Sequence, residues 1–300
     1  MKTNAIRLAA VLCLALGIAP AWAQTAYPNR PIRMVVAFPP GGGTDINARL
    51  IGTTMVAKSP ADGYTLSMGA GGPLTINHQV MKNVPLDPLK DLAPVATVSR
   101  HVLALVVHPS FSVSTVQELI AAIKPKPDGY SYASSAIASP HHLTMELFQS
   151  LTGTHMVHIP YKGSGDAIKD LVAGQVRIAF ETVSVILPHV NAGRLRVLAV
   201  TSRQRTSLAP NAPTMVEAGF PGFESFSWYG VVAPAGTPKA IINVLNSEIR
   251  KALGTAEVRA RITQLGAEPL IGTPEDMDAF MRAEIAKWGK VIRDVKITMD

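Results

Sequence analysis

Apolar residues along the chain gather into short β-rich runs that alternate with stretches of helical spacing. Residues 32–38 (IRMVVAF) form the first run, and Pro39-Pro40-Gly41-Gly42-Gly43 turns the chain behind it. Thr44 or Asp45 then caps a helix that the pattern carries to about Lys58. A turn over residues 59–63 leads to a strand at 64–68, and a later apolar run, 102–107, is stopped by Pro109. Helices are predicted over 116–123, 142–151, 166–173 and 183–192. Strands at 130–133, 157–159, 176–180 and 195–200 are interleaved with them. After a last strand at 228–232, two amphipathic helices, 241–253 and 274–295, finish the chain. This alternation predicts an α/β fold around a largely parallel sheet. Two crossings, after the run ending at Pro109 and at the run starting at Trp228, permit a discontinuous first lobe (24–107 plus 229–300) holding a second lobe (108–228).

The first residues read as an export signal. Lys2 and Arg7 form a basic start, residues 8–18 are apolar, and Ala21-Trp22-Ala23 is an A-x-A cleavage site before Gln24. That apolar run is too short to span a bilayer. The only cysteine, Cys13, lies inside it. The mature chain is therefore expected outside the cytoplasm, in the periplasm, without disulfides or thiol chemistry.

Composition narrows the function classes. With 47 % hydrophobic and 16 % charged residues, the chain can bury ordinary globular cores. The formal charge of +7 falls to +5 once Lys2 and Arg7 are removed, and the remaining cations are scattered among acids. A nucleic-acid binder would cluster them with aromatic residues, so no nucleic-acid partner is expected. Moderate basicity suits an anionic ligand.

Candidate chemistry concentrates at strand-to-helix junctions. Three glycines in Pro40-Gly41-Gly42-Gly43-Thr44-Asp45 let backbone approach a ligand, and the following helix start offers free N–H groups to an anion. A plain glycine turn would use the same residues. The segment is neither a nucleotide P-loop, which needs Gly-Lys-Ser/Thr, nor a G-x-G-x-x-G fingerprint. Two further junctions have the same character: Ser134 to Pro140, where Ser139 and Pro140 fit an N-cap and N1 ahead of His142, and Tyr161-Lys162-Gly163-Ser164-Gly165-Asp166. Such junctions point toward one crevice in open α/β sheets.

No nucleophile–base pair is legible. There is no G-x-S-x-G elbow, and His141-His142 and His155-x-x-His158 lack a matching zinc frame. The expectation is a binding protein with no catalytic residue, metal or cofactor. A secreted esterase or metal-dependent hydrolase is the alternative from another class, and a ligand-sensing receptor is a third.

Taken in order, several segments resemble one family, the extracytoplasmic solute receptors of tripartite tricarboxylate transporters, also called the Bug family. They include YPNRPIR at 27–33, FPPGGGTD at 38–45, DGYTL at 62–66 and DPLKDLAP at 87–94. SPHHL at 139–143, HIPYKG at 158–163, LPHVNAG at 187–193, APAGTP at 233–238, GAEP at 266–269 and AKWGKV at 286–291 continue the set. The resemblance spans essentially the whole mature chain.

It implies a two-lobed periplasmic-binding-protein fold of the type II-like kind that closes on a small carboxylate. It further implies a monomer that works with integral-membrane transporter subunits, with a membrane sensor kinase as a second partner. Carried over residue by residue, the ligand-binding set is Pro40, Gly41, Gly42, Gly43, Thr44 and Asp45, then Ser134, Ser139, His142, Tyr161, Lys162 and Gly163, with Glu181 and Thr182. One departure stands out. Asn47-Ala48-Arg49-Leu50 runs directly into residues 51–58, so a strand–loop–helix segment of the family's first lobe is missing.

Overall fold

The computed structural model describes residues 27–36 and 52–299. The expected leader (1–23) and the candidate loop Pro40 to Asp45 lie outside the described residues. The chain falls into two units, Met1–Pro31 and Ile32–Asp300, and the architecture below is that of the second.

Strand β1 (Arg33–Val36) is followed by helical residues 52–57 (α1) and β2 (Thr65–Ala70). A π-helical turn, Gly72–Ile76, then runs into the short helices α2 (Asn77–Val80) and α3 (Pro88–Asp91). The long strand β3 (Leu92–Val107) precedes α4 (Val116–Ile123), β4 (Ser131–Ser134), α5 (Pro140–Thr152) and β5 (Val157–Pro160). Next come α6 (Ser164–Val172), β6 (Ile178–Thr182), α7 (Val183–Asn191) and β7 (Arg196–Val200). After β8 (Phe226–Pro234) stand α8 (Lys239–Gly254), α9 (Ala256–Gln264), the two-residue β9 (Glu268–Pro269) and α10 (Pro274–Val295).

The strand order is β1-β2-β8-β3-β6-β4-β5, with β7 and β9 attached to β3. This corrects the expectation of a largely parallel sheet. Pairs β1–β2, β4–β5 and β4–β6 are parallel, but β2–β8 and every described pairing of β3 are antiparallel. Apolar runs mark buried strands without recording their direction. β3 also begins ten residues before the expected 102, because register shifts between Pro94 and Ala96 and between Thr97 and Ser99 break the alternation that a pattern search follows. Helix α9 was not foreseen: it buries no residue, so it shows no apolar stripe.

β3 changes partners midway. Leu92 to Val102 pair with β8, whereas Leu103 to Val107 pair with β6 and, over Ala104 to Val107, with β7. The Thr201 hydroxyl pins this change, accepting from Leu103 N–H at 3.1 Å and lying 2.6 Å from the Ser225 carbonyl. Alternate residues of β3 feed two cores on its two faces. Leu105 and Val107 join Tyr132, Phe148 and Phe180, while Ala104 and Val106 join Leu171, Ala179 and Ile186.

Helix α10 supports the rest. Thr273 and Asp276 form a reciprocal capping box at its start. Met277 and Met281 pack on Trp228 and Leu74, and about two turns later Trp288 packs with Ile76, Leu143 and Ala138. Trp288 keeps its indole N–H satisfied by Glu284 Oε2 at 2.8 Å.

Candidate functional site

Three helices begin at the C-terminal ends of the mutually parallel set β4, β5 and β6. Ser139 caps α5, its hydroxyl accepting from His142 N–H at 3.2 Å, with Pro140 in the first turn. Gly163 opens α6 at φ 122°, a conformation that side chains disfavour. Thr182 stands at the start of α7. These starts form one wall of a cavity of about 400 Å³; the end of β2, the π-turn, His101, Trp228 and Tyr229 form the other. That volume suits a small organic ligand. A larger open groove of about 740 Å³ runs along another face of α7, between residues 114–117 and the 208–213 loop.

Behind the wall, His141 bridges two polar groups. Its Nδ1 lies 2.7 Å from Ser135 Oγ, and its Nε2 lies 2.9 Å from Glu181 Oε1. Glu181 is 1 % exposed and also accepts from the Ser164 hydroxyl at 3.0 Å and Thr182 N–H at 2.8 Å. Burial alone would raise its carboxyl, but the His141 charge and these hydrogen bonds together outweigh it and hold Glu181 below the usual glutamate value. Ser135 and His141 face the cavity. No Lys, Arg, Asp or Glu lines the cavity among the described residues. Among the described residues, an anion there meets helix-start dipoles, hydroxyls and the His101 and His141 rings rather than a Lys or Arg side chain.

The structure divides the expected site residues. Ser139, Gly163 and Thr182 line the cavity. Ser134, His142 and Glu181 do not: Ser134 Oγ lies 2.9 Å from the Ala136 carbonyl and 2.7 Å from His158 Nε2, and the His142 ring accepts from Ala138 N–H at 2.9 Å. Tyr161 turns to Asp170, donating to Oδ2 at 2.8 Å; burial and that carboxylate push its hydroxyl up to about 12. Lys162 is exposed. His155 meets Asp128 at the surface, 2.6 Å apart, while His158 is stacked beneath the site, so the two do not converge on a metal position.

Wall residues outside the expected set include Asn77, His101, Ser135 and His141. Burial lowers the His101 imidazole, which meets Tyr229 edge-on at 5.5 Å. For Asn77 a signal existed. Gly69-Ala70-Gly71-Gly72-Pro73 is another glycine-rich turn between a strand and helical residues, the feature used at 40–45. Ser135 and His141 stand one residue from the expected Ser134 and His142, because a one-residue shift at a turn changes which side chain faces the crevice.

Residues 35–297 match the tripartite tricarboxylate transporter family receptor. The chain belongs to this family. It is 38 % identical to protein BugT of Bordetella pertussis, covering 97 % of this chain and 98 % of BugT. Rpa4515 of Rhodopseudomonas palustris, solved with adipate, shares 36 % identity at a TM-score of 0.77, over 91 % of this chain and 99 % of that one. MatC of the same organism, solved with bound malate, shares 28 % identity at a TM-score of 0.72, over 89 % and 100 %. The fold is therefore that of the periplasmic solute-binding proteins, as the resemblance implied. The BugT alignment runs over 319 positions, more than the 300 residues of this chain, so BugT carries residues with no counterpart here.

Proposed function

We propose that this receptor captures a small carboxylate in the cavity between its two lobes, in the periplasm, and delivers it to the membrane subunits of a tripartite transporter. The observation that carries this reading is the convergence of the α5, α6 and α7 starts on one cavity, in a chain of the receptor family. Adipate and malate in two structural neighbours point the same way. On this reading the lobes are residues 24–107 plus 229–300 and residues 108–228, and the 40–45 loop grips a carboxylate from the first lobe. The partner change along β3 supports a crossing between lobes. Cleavage after Ala23 releases the mature chain.

Calorimetry of the mature protein against adipate, malate and an aromatic acid tests the proposal, with solution scattering beside it. Binding with compaction of the particle is expected. No binding of any acid, or binding with an unchanged scattering profile, overturns the receptor reading or its closing motion, respectively.

A hydrolase is the second reading, favoured by the Ser135–His141–Glu181 chain. A histidine between a serine hydroxyl and a carboxylate is the arrangement that activates a serine nucleophile, and here the ring lies 2.7 Å from Ser135 Oγ and 2.9 Å from Glu181 Oε1. Ester turnover that disappears in Ser135→Ala would reverse the choice.

A further inference from the structure

We infer that Asn77 is a ligand-binding donor, forming a subsite for a second oxygen function on the bound acid, opposite the three helix starts. The inference rests on the receptor reading above.

Asn77 lines the cavity and is 5 % exposed, yet its amide nitrogen meets no acceptor among the described residues. A buried donor without a partner destabilises the protein, and such groups in native structures call for an explanation. Surrounding architecture fixes the side chain rather than leaving it to chance. β2 ends at Ala70, and Gly71 lies so close to the indole that a Cβ there would sit 2.5 Å from Trp228 Nε1. The chain then takes a π-helical turn, closed by Asn77 N–H to the Gly72 carbonyl and by the Thr75 hydroxyl to the Gly71 carbonyl at 2.7 Å. π-turns of this kind recur at functional sites. Ile76 and Val80, on either side of Asn77, are locked into the Trp288 cluster. The amide is thus held on the cavity wall by packing, with its N–H groups unspent.

What would fill it follows from its chemistry. A carboxamide nitrogen needs an oxygen acceptor, and no Asp or Glu lines the described wall to supply one or to repel an anion. The occupant is a small acid carrying a second carboxylate or a carbonyl oxygen. A chain acid with one carboxylate leaves Asn77 unpaired. Discrimination of this kind is strong because the site's own polar group is stranded by the wrong ligand.

Adipate and hexanoate, matched in length and differing in the second carboxylate, are the probes, with wild type, Asn77→Leu and Asn77→Asp measured by calorimetry and thermal unfolding. Wild type should prefer adipate. Asn77→Leu should bind adipate about 10- to 100-fold more weakly, as expected for losing a hydrogen bond to a charged group. Its hexanoate affinity should barely move. Asn77→Asp should weaken adipate further, by like-charge repulsion. Without ligand, Asn77→Leu should unfold at the wild-type temperature or above it, since an unpaired buried donor is removed. An unchanged adipate-to-hexanoate ratio in Asn77→Leu overturns the inference, as does a lower melting point of that variant without ligand. A wild-type protein that binds neither acid fails the receptor reading instead, while the ligand-free melting comparison still decides whether Asn77 is an unspent donor.

Discussion

His142 and His158 stack face to face beneath the cavity, their ring centroids 3.8 Å apart and their planes 7° from parallel. Tyr132 lies against the other ring of the pair at 4.9 Å from His158. Two stacked imidazoles cannot comfortably both be charged. Burial, and then the His158 charge, push His142 down to about 3, and burial pushes His158 down to about 4.

The sign of the pH dependence follows. Unfolded, both rings titrate near the ordinary value of 6.5, so below it the unfolded chain binds more protons than the native one. Stability should fall as pH drops from about 6.5 toward about 4 and 3, each ring contributing a slope of up to about 1.4 kcal/mol per pH unit. Melting temperatures at about pH 7.5 and about pH 5 check this, and the difference should shrink in His158→Phe, which keeps the stack without the charge. An equal drop in that variant would place the sensitivity elsewhere.

Glu181 offers a graded test of the buried relay. Its Oε1 accepts from His141, Ser164 and Thr182. Glu181→Gln retains a carbonyl acceptor and should cost about 1–2 kcal/mol. Glu181→Leu strands all three donors and should cost about 3–5 kcal/mol. Denaturant unfolding measures both; equal costs would show that the acceptor count is not what matters.

Gly266 packs against the start of α7, where a Cβ would lie 1.8 Å from Ser184 Cβ, and its φ is 71°. Gly266→Ala should therefore cost at least about 2 kcal/mol, from left-handed backbone and overlap together. Gly236 has a similar φ of 81° but open space around it, so Gly236→Ala should cost only the backbone share, about 1–2 kcal/mol. Because Ser184 and its neighbour Leu265 line the cavity, the first variant should also weaken ligand binding, and the second should not. Similar costs would mean that the Ser184 contact yields freely.

The shortened first half has its own consequence. β1 pairs only with β2 among the described strands, and Met34 and Val36 on it are 39 % and 56 % exposed. An apolar edge strand invites pairing with other chains. Inserting a relative's strand–loop–helix segment between Leu50 and Ile51 should raise the melting temperature and lower aggregation, and Val36→Lys should lower aggregation alone. Light scattering during heating reads both. No change in either chain would show the segment to be dispensable.

Much of this protein was legible before any coordinates. Helices α4 and α10 start and stop where Thr115, Thr273 and the apolar spacing place them, because capping and amphipathicity are local properties carried by adjacent residues. The ordered motifs identified the family. They also located the crevice at strand-to-helix junctions, since a glycine-rich or serine-capped helix start is written in a few consecutive positions. Tertiary structure alone decided strand direction, the early start of β3, and which side chain at each turn faces the cavity. Ser135 rather than Ser134, and His141 rather than His142, reach the wall, and between them the chain takes φ 55° at Ala138, a conformation that no residue type there announces. For Asn77 the glycine-rich turn ahead of it was legible, but only the packing of Trp228, Gly71 and α10 brings its amide to the cavity wall.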